Sequence, residues 1–347
     1  MKVTFSTKWL VPWNGTCQVC VRIAEGLVDE GHKVSIITNE GNTKTDWFTS
    51  DIEVVQKPRR PIKGYKIIRD HLTEFAPEIL HSHDNLGYYF EPFSIPHVVT
   101  SHSNWPRSWF LSKKHFLEGF ALEIPHDILL RAATQPVAVS DYSRRQLEKR
   151  RIKPDQIYNG VKVPDLDETV TEDGTKNLLF VGRVGPRKGK YLPEIWDKIQ
   201  ERGTNIELDI IGYPADDSLS KQLEAANDVE FHGSVESLSP YYEKADALLF
   251  PSRAEACPLT VLEAQAYGTP VIAFDICSHN ELINTGHTGS VVPAYDTRKF
   301  ASEALNWVSK DRSETNLVCR QWILDNYSNQ NMIEEYIELY ERIVDIY

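Results

Sequence analysis

Residues 251–275, PSRAEACPLTVLEAQAYGTPVIAFD, leave the chain little freedom in its choice of fold. They follow an apolar run, Ala247 to Phe250, that reads as the end of a buried strand. Pro251 and Ser252 stop it, and a short polar loop carries Glu255. Pro258 stands where a helix can start, because proline is tolerated in a first turn. Leu259, Leu262 and Ala266 then fall at helical spacing, and Gly268-Thr269-Pro270 ends the helix. Val271 to Phe274 is a second buried strand. A strand, loop, helix, strand unit of this kind belongs to a parallel sheet covered by helices. Such sheets hold ligands outside the carboxyl ends of their strands. A helix N-terminus there offers free N–H groups suited to a phosphate. Two carboxylates accompany it. Glu263, in the second helical turn, can accept both hydroxyls of a cis-diol such as a ribose, and Glu255, on the loop, can accept from a sugar.

Glu255 and Glu263 form an E-x7-E pair inside EACPLTVLEAQAYGTPVIA. This stretch closely resembles the signature of glycosyltransferase family 4, the retaining, nucleotide-sugar-dependent enzymes of the GT-B fold. The resemblance implies an α/β architecture of two Rossmann-like domains whose parallel sheets face each other across a cleft.

A chain of 347 residues is long enough for two such domains. Its charge divides accordingly. Residues 1–165 hold 22 basic and 19 acidic residues, a net +3, and the remainder holds 16 and 31, a net −15. The total of −12 argues against nucleic acid as a partner. No apolar run is long enough to cross a bilayer, and MKVTFSTKWLVPW reads as a first strand rather than a leader, so a cytoplasmic protein is expected. Five cysteines fit free thiols, with Cys17 and Cys20 facing the core of a first helix.

Residues 2–6 (strand), 11–16 (loop), a helix to Glu30 and His32–Thr38 (strand) make an opening βαβ unit. It resembles the family's opening, where the loop carries a Gly-Gly pair. Here the pair is Asn14-Gly15, and Asn tolerates an unusual φ. The resemblance makes Gly15 and Thr16 donor-phosphate candidates and Asn14 an acceptor candidate. Residues 57–69, KPRRPIKGYKIIR, hold six basic residues among Ile62, Tyr65, Ile67 and Ile68. With a second basic-aromatic patch at 107–120, they offer peripheral contact to the inner membrane face, or simply a solvated surface. His81 and His83 end one strand on a shared face, but no third ligand stands at a recognisable metal spacing. Val98 to His102 is a further strand, and His102 resembles the family's strand-terminal histidine, which lies against the transferred sugar. Trp105 and Trp109 follow; Trp105 is an acceptor-stacking candidate. Ile157-Tyr-Asn-Gly-Val161 resembles the element closing the first domain, although Lys162 stands where the family usually has Asp. Residues 166–176 read as the linker, and the Asp165-Leu-Asp167 triplet beside it as a chance D-x-D.

Residues 177–328 are the expected nucleotide-sugar domain. Gly182-Arg183-Val-Gly-Pro-Arg-Lys188-Gly189 resembles the family's G-R-x4-K-G element. Two cations on a glycine-bearing loop at a strand end can neutralise a departing diphosphate, so no metal cofactor is expected. The resemblance makes Arg183, Lys188, Glu255 and His102 catalytic, and Gly182, Cys257, Leu259, Thr260 and Glu263 donor-binding. It assigns nothing to Arg187. Residues 329–347 read as a helix crossing back to the first domain. The expected activity is transfer, with retention, of a hexose-type sugar from a nucleotide-sugar to a glycan, lipid-linked or other hydroxyl acceptor. The alternatives are a non-catalytic nucleotide-sugar-binding protein, a GT-B epimerase or a phosphorylase, and least a membrane-docked scaffold.

Overall fold

The computed structural model describes all of the chain except residues 42, 59–60, 84–93, 103–125, 166–175 and 203–204 and the side chains of residues 61 and 62. The chain divides into two compact units, residues 1–160 with 329–347, and residues 161–328. Residues 161–165, expected in the first domain, therefore belong to the second unit. Its segment is held there by backbone contacts: Val161 bonds to Tyr327, and Arg320 reaches the Pro164 carbonyl.

In the first unit, seven parallel strands are described: β1 (Lys2–Ser6), β2 (Lys33–Asn39), β3 (Glu53–Lys57), β4 (Ile79–Ser82), β5 (His97–Ser101), β6 (Gln135–Ala138) and β7 (Asp155–Gln156). Their order is 3-2-1-4-5-6-7. Helices α1 (Gly15–Asp29), α2 (Pro61–Phe75) and α3 (Asp141–Lys149) accompany them. The inner strands β1, β2, β4, β5 and β6 are buried along nearly their whole length, polar positions such as Thr4, Ser35 and His81 included, whereas β3 and β7 are part-exposed. The order reverses between β1 and β4, so the carboxyl ends of those two strands frame the place where such a sheet binds ligands.

The second unit repeats the plan with β8 (Lys176–Val181), β9 (Ile206–Ile211), β10 (Val229–Gly233), β11 (Ala247–Phe250), β12 (Val271–Phe274) and β13 (Gly289–Val292). These too are parallel, in the order 10-9-8-11-12-13. The helices are α4 (Leu192–Gln200), α5 (Asp217–Glu224), α6 (Ser239–Lys244), α7 (Leu259–Ala266), α8 (His279–Leu282), α9 (Thr297–Val308) and α10 (Arg312–Asn326). Leu178, Phe180, Trp196, Leu208, Leu249 and Phe300 belong to its core. Here the order reverses between β8 and β11.

The last helix, α11 (Asn329–Val344), belongs to the first unit. Its stripe of Met332, Ile333, Tyr336, Leu339, Tyr340 and Ile343 is buried. Gly26 on α1 lets it approach: a Cβ there would lie 2.2 Å from Ile333 Cδ1. Tyr340 Oη bonds His81 Nδ1 at 2.6 Å, and Tyr336 Oη bonds Thr100 Oγ1 at 2.9 Å.

Two expectations need correction. The 57–69 stretch is not one exposed patch. Lys57 is 2 % exposed, and Ile68 packs with Ile37, Leu72 and Leu80 in a core cluster. Lys63, Lys66 and Arg69 are exposed on α2, and Arg69 pairs with Asp70 at 2.9 Å. Asn14 adopts no unusual backbone: its φ is −106, and it serves as the N-cap of α1. The 107–120 patch, Trp105, Trp109 and Asp167 lie outside the described residues.

Candidate active site

The two strands that flank the reversal in the second unit end in the two loops singled out by sequence. β8 runs into Gly182, whose N–H bonds the Ile211 carbonyl at 2.8 Å and whose φ is +145. That conformation favours glycine, and a Cβ would also meet Lys188 Cδ at 2.9 Å. Gly212, at the end of β9, comes closer still: a Cβ there would lie 2.1 Å from the Gly182 carbonyl oxygen. The bare backbone at Gly182 lets the lysine side chain fold back across it.

β11 runs into the second loop, and the two loops are tied together. Arg253 donates its backbone N–H to the Arg187 carbonyl at 2.8 Å and its Nη1 to the Pro186 carbonyl at 3.1 Å. The tie places Glu255, 9 % exposed, among cations. Its Oε1 accepts from Ser252 Oγ at 3.0 Å and faces Lys188 Nζ at 3.6 Å and Arg187 Nε at 4.0 Å. Burial pushes the Glu255 carboxyl up. Lys188, Arg187, the Ser252 hydroxyl and His279 outweigh it and hold the group below the usual glutamate value. All the close partners crowd Oε1, and Oε2 takes no hydrogen bond from a described residue.

α7 begins directly after this loop. Pro258 is its N-cap rather than its first helical residue and gives no side-chain cap. The N–H groups of Leu259 and Thr260 have no acceptor among the described residues, as expected for a first turn. Cys257 is buried. Glu263, half-buried on the same helix, accepts from Tyr242 Oη at 3.4 Å. Arg183 is exposed and makes no ion pair among the described residues.

Residues 13–163 match the family described as Glycosyltransferase Family 4, and residues 175–310 the one described as Glycosyl transferases group 1. The chain belongs to the family 4 glycosyltransferases. A phosphatidyl-myo-inositol mannosyltransferase of Mycolicibacterium smegmatis is 26 % identical over 86 % of this glycosyltransferase and 82 % of its own length. An uncharacterized 41.2 kDa protein in the cps region of Klebsiella pneumoniae is 30 % identical, and the match spans 56 % of each chain. Among solved structures, Anabaena Alr3699/HepE in complex with UDP and glucose aligns with a TM-score of 0.80 over 98 % of this chain and 99 % of that one, at 16 % identity. The two parallel-sheet units are those of the GT-B fold.

In the first unit of the glycosyltransferase, Gly15 and Thr16 open α1 beyond the end of β1, and Asn14 Oδ1 accepts the Cys17 N–H at 3.2 Å. The Asn14 side chain is thus spent on the helix cap, which weakens it as an acceptor contact. His102 follows β5, and its Nε2 lies 2.9 Å from His83 Nδ1. Burial, with His126 adding, pushes the His102 imidazole down to about 3, so it is neutral at pH 7. His81 and His83 are also pushed well down by burial. Both His81 nitrogens are engaged, with Tyr340 and with Thr100, which fits a structural role and not a metal.

The sequence reading missed three members of the constellation. Arg187 and His279 both bear on Glu255, and His83 bears on His102. The doubled cation in Arg187-Lys188 was the available signal for the first. Among the described residues, Asp209, Glu230 and His232 offer ligand atoms within 4.8 Å of one another. Asp209 already accepts from His232, Asn177 and the Lys244 ammonium, and a lysine in that set opposes a dication.

Proposed function

We propose that this glycosyltransferase moves a hexose-type sugar, with retention, from a nucleotide diphosphate sugar to a hydroxyl of a glycan or lipid-linked acceptor, in polysaccharide or glycoconjugate biosynthesis. The observation that carries this reading is the convergence of Lys188 and Arg187 on Glu255 at the carboxyl ends of β8 and β11. A nucleotide diphosphate sugar presents, in order, a ribose, two phosphates and a hexose. The second unit offers matching chemistry: Glu263 for the ribose diol, the first turn of α7 with Arg183 and Lys188 for the diphosphate, and Glu255 Oε2 for a sugar hydroxyl. The UDP and glucose in the Anabaena structure and the mannosyl transfer named for the mycobacterial relative are the same class of chemistry.

Lys188 and Arg183 act on charge that grows as the diphosphate departs, which lowers the barrier and not merely the ground state. These two cations take the part that a divalent metal plays in other transferases. Glu255, ion-paired through Oε1, serves as a hydrogen-bond acceptor. Retention then proceeds by front-face attack guided by the leaving phosphate. The first unit binds the acceptor, and His102 hydrogen-bonds a sugar hydroxyl.

Thermal stabilisation of the protein by UDP-, GDP- and ADP-sugars in EDTA tests the donor assignment. One nucleotide class is expected to raise the melting temperature, and Arg183→Ala and Lys188→Ala to abolish the rise. A folded protein that responds to none of them would remove the donor-site reading. Turnover without any acceptor, or with free phosphate as acceptor, would replace transfer by epimerisation or phosphorolysis. An inverted product anomer would remove retention.

A further inference from the structure

We propose that His83 is a positioning residue that fixes the tautomer of His102, so that His102 presents a proton on Nδ1. His83 Nδ1 and His102 Nε2 are 2.9 Å apart, and one of them must donate. His83 cannot turn away. It follows β4 and is 3 % exposed. Its ring lies against His81 at 4.3 Å between centroids and against His102 at 5.2 Å, with Phe5 at 6.0 Å. His81 is itself pinned at both nitrogens by Tyr340 and Thr100.

The other nitrogen of His83, Nε2, is buried and has no hydrogen-bond partner among the described residues. This decides the direction of the shared proton. If His102 donated, His83 would carry its proton on Nε2, as a buried N–H with nothing to receive it. If His83 donates from Nδ1, the orphan is a bare acceptor, which folded proteins leave unpaired more readily than a donor. His102 then accepts at Nε2. Being neutral, it carries its own proton on Nδ1, which makes no hydrogen bond to a described residue. The nitrogen that one side of an imidazole engages sets the protonation of the other. His102 is thereby a fixed donor, matched to an oxygen lone pair of a bound sugar. Only this last step rests on the function proposed above.

Two-bond ¹⁵N–¹H correlation spectra of protein labelled with ¹⁵N-histidine test the tautomer directly and need no substrate. The His102 signal is identified by its loss in His102→Gln. At pH 7 it is expected to show Nδ1 protonated and Nε2 bare. His83→Asn, whose amide can donate from nearly the same place, should keep that pattern. His83→Asp, which can only accept, should move the His102 proton to Nε2. In transfer assays His83→Ala should lose about a hundredfold in kcat with KM little changed, and His83→Asn should regain most of it. A His102 protonated on Nε2 in the unmodified protein overturns the proposal, as does a tautomer indifferent to His83→Asp. If that variant does not fold, the unmodified protein and His83→Asn still decide. A protein that transfers no sugar still gives the spectrum, so the two readings fail separately.

Discussion

Glu255 is a buried carboxylate whose ionisation rests on its neighbours. Lys188 at 3.6 Å and Ser252 at 3.0 Å are its nearest partners. Because its folded value lies below the unfolded one, its contribution to stability is present above the ordinary glutamate range and is lost as pH falls through the lowered value. Transfer should accordingly hold its rate to a pH below that of an ordinary glutamic acid. In Lys188→Met the acid limb of the kcat profile should move upward, and kcat should fall by roughly 10²–10³ as the charge at the diphosphate is lost. A variant with a lower kcat but an unmoved acid limb would show that Lys188 serves the donor without holding Glu255 ionised. Gly182→Ala should be nearly as damaging, because it forces the Lys188 side chain off the backbone it covers. Much of this site was legible in the chain. The spacing of Glu255 and Glu263 and the glycine-bearing cationic loop sit in continuous stretches whose local geometry is set by turns and helix starts. His83 and His279 were not legible. Each acts on its partner only once segments separate in the chain are brought together by the fold, and an isolated histidine carries no trace of that.

At the level of elements, β11 and β12 are legible because a strand buried on both faces can be apolar throughout, whereas the part-exposed β3, EVVQK, carries no such signal. Among the helices not picked out by sequence, α10 lacks a strong apolar stripe, whereas α4 and α9 carry clear ones, with Ile195 and Ile199 and with Phe300, Ala304 and Trp307 buried. α10 buries Cys319 and Ile323 and shows little periodicity. α2 reads in sequence as a basic surface because three of its positions are exposed cations, while Ile68 and Leu72 carry its inner face. The order of strands in each sheet has no local signature at all. α11 is the opposite case: its stripe is long and its destination is marked by Gly26, where Ile333 fills the space a side chain would take. Gly26→Val should therefore destabilise the first unit by about 3 kcal/mol, through overpacking rather than loss of helix propensity. Calorimetry checks this, with Ile333→Ala as the relieving partner. The double variant should recover part of the loss, and purely additive effects would exclude a direct clash.

Across the whole molecule, titratable strain is unevenly shared. His81, His83, His97, His102 and His126 all belong to the first unit, and burial lowers each of them, His97 and His126 to about 4. A histidine lowered on folding favours the folded state above its unfolded value of 6.5, and this advantage disappears as pH drops from there toward the folded value. Each contributes a slope of up to about 1.4 kcal/mol per pH unit. The first unit should therefore lose protection between about pH 6 and pH 4 while the second persists, as read by hydrogen exchange on peptides from each. Simultaneous loss, or earlier loss in the second unit, would contradict it. The division of the chain also bears on how the protein is made. Residues 161–328 form an uninterrupted unit, whereas the first unit needs 329–347 to supply α11. On a ribosome the second unit can fold as soon as it emerges. The first must wait, with the surfaces of α1, β4 and β5 that meet α11 uncovered, for the time taken to add some 190 further residues, roughly 10–40 s at usual elongation rates. During that interval the half-built first unit is the part of the nascent protein that most needs a chaperone.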